Sequence, residues 1–146
     1  MAIKNVIFCS QHSACERPAW RNWAVISITD LATFDAPLKS GWLDVLRLKF
    51  DDIDDAAEEE NGYVRMGDLQ ARAVIEFVLR MQEDKRCEGI LVHCWAGISR
   101  SAAVAKWISE RCEVYFPSQY QLYNKHVYAL LREGYVIGGY FERRIG

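Results

Sequence analysis

The stretch GILVHCWAGISRSAA, residues 89–103, decides how the chain is organised. It begins with a short unbroken apolar run over 89–93, the pattern of a strand covered on both faces of a parallel sheet. A tight Ala-Gly turn follows. From Ser99 to Arg111 the chain is alanine-rich and free of Gly and Pro, with Val104 and Ile108 four positions apart. That is helix periodicity. A strand, a turn and a helix N-terminus in immediate succession form one half of an α/β unit.

Working outward, further strands are expected over 4–8, over 23–29 (WAVISIT) and over 43–50, where Asp44, Arg47 and Lys49 interrupt apolar positions. Helices are expected over 68–84, where Leu69, Ala73, Phe77 and Met81 share a face, and over 118–132, after Pro117, with Gly134 as the stop. The loop after the first strand is read as irregular, and the tail from Glu142 to Gly146 as a solvated end. The expectation is an α/β fold with a central, mostly parallel sheet of four to five strands flanked by helices. With 146 residues, 51% of them hydrophobic, one domain over 1–146 with a packed core is expected.

The net charge of −2 argues against a nucleic-acid binder that relies on a basic surface. No apolar run is long enough for a membrane span or a signal peptide. Five cysteines, none in a CxxC pair, suggest reduced thiols in a cytoplasmic protein, and with only three histidines the sequence offers little for a metal site.

A loop leaving the carboxyl end of a parallel strand and entering a helix points backbone N–H groups at whatever lies in its mouth, and the natural occupant is an anion such as phosphate. Gly97 lets the chain curl around it. Cys94 opens the loop, and the converging amides, the helix N-terminus and Arg100 all favour its thiolate. Arg100, six residues on, can hold two phosphate oxygens with its planar fork. The Ser101 hydroxyl is placed to donate to the sulfur.

The Cys-x5-Arg spacing alone says little, because the chain has a second copy of it. Cys15-Glu16-Arg17-Pro18-Ala19-Trp20-Arg21 fits the same spacing. No apolar strand enters it, it has no glycine, Pro18 lacks an amide donor, and Glu16 would repel phosphate.

The run His93-Cys94-Trp95-Ala96-Gly97-Ile98-Ser99-Arg100-Ser101 resembles the HCxxGxxRS signature of the cysteine-dependent protein phosphatases. Its AGISRSA portion is most similar to their dual-specificity branch. The resemblance is specific over about a dozen residues and looser elsewhere. It implies hydrolysis of phosphotyrosine, and of phosphoserine or phosphothreonine as a further option, through a phospho-cysteine and with no metal or organic cofactor. The partner would be a phosphorylated protein, met by a monomer with no nucleic-acid or membrane partner. Trp95, Ala96, Gly97, Ile98, Ser99 and Arg100 would line the anion, with His93 in support rather than in proton transfer, because its side chain alternates away from that of Cys94, or else a satisfied core histidine.

The resemblance also requires a general acid, an aspartate on a separate upstream loop. Four aspartates, Asp51, Asp52, Asp54 and Asp55, crowd the end of the third strand. A Phe-x-Asp arrangement common in these phosphatases selects Asp52, ahead of Asp51 and Asp54. Asn124 roughly matches a loop-supporting asparagine, although its flanking residues depart from the usual Pro-Asn. Trp95 suits either a pocket wall or a core ring. Cys9, at the end of a neighbouring strand, is a candidate disulfide partner for an oxidised Cys94. Two alternatives stand beside the protein phosphatase. One is a phosphatase for a phosphoinositide or an RNA 5′-phosphate, for which the uncharged residues between Cys94 and Arg100 are a poor match. The other is a silent phosphate-binding module.

Overall fold

A computed structural model of the chain describes residues 3–140. The tail beginning at Glu142 lies outside them. Four strands form one all-parallel sheet: β1 (Asn5–Ser10), β2 (Trp23–Thr29), β3 (Asp44–Lys49) and β4 (Gly89–Cys94), in the spatial order β1-β4-β2-β3. The helices are α1 (Gln11–Glu16), α2 (Asp68–Glu83), α3 (Arg100–Cys112) and α4 (Lys125–Ile137), with a short 3-10 helix at Ala56–Asn61. No helix among the described residues is long and apolar enough to cross a membrane.

The last strand in sequence is inserted between the first two, so every residue of β4 is buried. The sheet register pairs Cys9 and Ser27 with His93, and Ser10 with Cys94. Alternation along β4 then sorts its side chains. Ile90, Val92 and Cys94 face the larger core, built with Val74, Phe77 and Val78 of α2, Val104 and Ile108 of α3, and Val127 and Leu131 of α4. Leu91 faces the smaller core with Val25 and Ala14, and Cys9 packs there. Helices on both faces leave the carboxyl ends of the strands as the open edge, where α/β sheets bind ligands.

Three local expectations are corrected. The segment after β1 is not irregular: Ser10 caps α1, its Oγ accepting from Ser13 N at 3.1 Å. Residues 118–124 are not helical, because Asn124 caps α4 with its side chain, accepting from Val127 N at 2.9 Å. Such a cap contributes on the order of 1 kcal/mol. Gly134 does not stop α4, which runs on to Ile137. It lets the helix approach α2, since a Cβ there would come within 3.2 Å of Ile75 Cδ1.

Candidate active site

The loop between β4 and α3 is shaped from outside by its neighbours. Gly97 has φ +72°, and a Cβ at that position would lie 2.3 Å from Cys9 C and Ser10 N, so only glycine allows the loop to sit on the end of β1. Three of its carbonyls are held by neighbours outside the loop. Trp95 O accepts from Gln11 N at 3.2 Å, Ile98 O accepts from the Tyr120 hydroxyl, and Ser99 O accepts from Ala103 N and Asn124 N. Among the described residues, no backbone N–H from Trp95 to Ser99 donates to a protein acceptor. Carbonyls held from outside and unengaged amides at a helix N-terminus make an anion cradle.

Cys94 lies at the base of this loop, buried, with Sγ 3.1 Å from the Ser101 hydroxyl. Arg100 is only 4% exposed. One of its terminal nitrogens, Nη1, is fixed between Asp30 Oδ1 and the carbonyl of Phe50, both at 2.7 Å. Its Nε is buried and has no hydrogen-bond partner. A buried donor left unpaired is costly, and here it belongs to a side chain that is otherwise held rigidly.

His93 points to the face opposite Cys94, as strand alternation requires. Its Nε2 is 2.6 Å from Ser27 Oγ, and its Nδ1 is 3.5 Å from the carbonyl of Cys94. Burial, with smaller contributions from Arg47 and Arg100, pushes its pKa down to about 4, so the ring is neutral near pH 7. It supports the strand under the loop.

The aspartates that the sequence left in competition are separated by their bonds. Asp51 braces backbone, accepting from Leu31 N at 3.3 Å and Val64 N at 2.8 Å. Asp54 accepts from His126 N at 3.1 Å, at the start of α4. Asp52 alone of the three reaches the Cys94 loop: its Oδ1 accepts from Ser99 Oγ at 2.8 Å and from Asn124 Nδ2 at 2.9 Å. Asn124 also donates to Ile53 O at 3.2 Å. Asn124 thus ties three segments together: its buried side chain holds the acidic loop and the start of α4, and its backbone N–H donates to Ser99 O of the Cys94 loop at 3.1 Å.

Trp95 is not a core ring, being 69% exposed beside the loop. Cys9 sits on the His93 face of the sheet, which separates it from Cys94 and removes the geometric basis for a disulfide between them. The second Cys-x5-Arg stretch is no site: Cys15 is in the last turn of α1, Arg21 is exposed in a turn, and burial raises the Cys15 thiol's pKa. Asp30, the partner of Arg100, did not stand out in the sequence. Its signal was position, one residue past β2 at the carboxyl edge of the sheet.

No family model matches this chain, and no curated protein matches it at a significant level.

Proposed function

We propose that the protein is a cysteine-dependent phosphatase that hydrolyses phosphate monoesters on protein side chains. One observation carries this: between Cys94 and an anchored, buried Arg100 whose Nε lacks a partner runs a loop whose backbone amides are unengaged. In this reading the amides and the free side of the guanidinium bind the oxygens of the phosphoryl group. The Cys94 thiolate attacks phosphorus, forming the S–P bond as the ester P–O bond breaks. The leaving oxygen takes a proton from Asp52. Oδ1 of Asp52 already accepts two bonds, which leaves Oδ2 to carry that proton. Water then attacks phosphorus, Asp52 takes the water's proton, and the S–P bond breaks with inorganic phosphate released. The Ser101 hydroxyl donates to the departing sulfur. Catalysis here is positioning and charge stabilisation, which a pre-shaped cradle supplies.

The test is vanadate-sensitive release of phosphate from an aryl phosphate and from a phosphotyrosine peptide. Cys94→Ser is expected to lower turnover by at least about 10³-fold, the scale of losing a covalent nucleophile. Equal rates in wild type and Cys94→Ser between pH 5 and 8 would defeat the proposal. Phosphate binding without turnover would favour the silent module instead.

A further inference from the structure

A cleft of about 390 Å³ lies directly beside the Cys94 loop, bounded by Trp95 on one side and by the connection after β2 on the other. Two large aromatic rings stand at its edge in solvent, Phe34 at 95% exposed and Trp95 at 69%. Two carboxylates, Asp30 and Asp35, line it, and no basic side chain does. The cleft opens from the Arg100 anchor itself, because Asp30 belongs to both.

Charge decides what fits. Asp30 is balanced by Arg100 at 2.7 Å and Asp35 by Lys49 at 3.2 Å. The Lys49 ammonium is further committed to Thr29 Oγ1 at 3.0 Å and Thr33 O at 2.6 Å, which holds it against the wall. A phosphoryl group bound in the loop would bring about two negative charges and draw on the charge of Arg100. The neighbourhood would then be negative overall, with exposed aromatic faces at its rim. A lysine or arginine meets all of these demands: its methylene stem packs on the rings, its cation lies over an aromatic face, and the carboxylates face its charge.

Resting on the phosphatase reading above, we infer that this cleft receives a basic side chain immediately next to the phosphorylated residue. The enzyme would thus select phosphopeptides with Arg or Lys beside the phosphorylated position. Asp35 and Phe34 act as specificity residues and take no part in the chemistry.

The experiment compares kcat/KM for phosphotyrosine peptides carrying Arg, Ala or Glu immediately before or immediately after the phosphotyrosine, with an aryl phosphate as reference. Wild type is expected to prefer Arg over Glu by about tenfold on one side at low ionic strength, shrinking with added salt. Asp35→Asn and Phe34→Ala are each expected to reduce that preference to about twofold while leaving aryl phosphate turnover unchanged, which also shows that the variants fold. Equal rates for the Arg and Glu peptides, with aryl phosphate turnover intact, would overturn the inference and leave the phosphatase reading standing. A preference undiminished in both variants would overturn it too. Absence of turnover on every phosphoester would overturn both.

Discussion

Cys94 and Arg100 have the same spacing as Cys15 and Arg21, yet the two stretches share nothing else. Cys94 ends the most buried strand of the sheet and is followed by a loop and a helix N-terminus, and the loop's amides have no protein acceptor among the described residues. Cys15 lies in the last turn of a short helix, the end that presents carbonyls rather than amides, with Glu16 O accepting from Lys39 Nζ at 2.7 Å, and its arginine is exposed to solvent. One arginine is anchored by a carboxylate and a carbonyl; the other projects from a turn. The spacing is only a shadow of the scaffold. The strand feeding the loop and the partners of its carbonyls are what set the first stretch apart.

Removing each arginine separates the two stretches most directly. Arg100→Ala is expected to lower kcat/KM for aryl phosphate by about 10³- to 10⁴-fold, the scale of losing a principal charge-stabilising group. Arg21→Ala is expected to change it less than about twofold, since exposed charges contribute little. A comparable loss in both variants would mean that the two stretches do not differ in function as described.

A second test concerns the strand beneath Cys94, which carries a buried neutral histidine. The folded-state pKa of His93, near 4, lies below its ordinary value of 6.5. Its neutral form therefore contributes stability that is complete above about pH 6.5 and is lost as pH falls through 4. The linked loss is on the order of 3 kcal/mol. Denaturant unfolding at pH 7 and 4.5 would show most of it, and a His93→Gln variant should lose this part of the slope. An identical slope in wild type and variant would contradict the assignment.

The finest distinction lies among the aspartates. Asp52→Asn is expected to slow hydrolysis of esters with poor leaving groups by about 10²-fold, and to affect activated aryl phosphates far less, because only a poor leaving group needs the proton. Asp54→Asn is expected to leave the ratio between the two substrate types unchanged. A larger effect in Asp54→Asn would transfer the acid role.

Much of this was legible in the sequence, and the failures have physical causes. β2 was read at its observed bounds and β4 to within one residue, because continuous apolar runs between polar loops have few other interpretations. The six residues of α1 escaped because so short a helix shows no periodicity; its only local mark is the Ser10 cap. The segment 118–124 mimicked a helix through Pro117 and Leu122, but Leu122 is exposed and Asn124 is committed as a cap. At the site, Cys94, Gly97, Arg100 and Ser101 followed from a local pattern. Asp30 could not, because its role depends on β2 lying beside β4 in the sheet, a pairing between residues far apart in the chain. Asp52 stands out from its neighbours only once the bonds from Ser99 and Asn124 are in view.

The bracing of the loop from outside has one more consequence. Its curvature is set by Gln11, Tyr120 and Asn124, and by Gly97 resting on the end of β1, so less of the free energy of capturing a guest is spent on ordering the backbone. If the loop binds oxyanions as proposed, small tetrahedral ones would meet a cradle already in shape, and any discrimination between larger partners would fall to the surface around the rim.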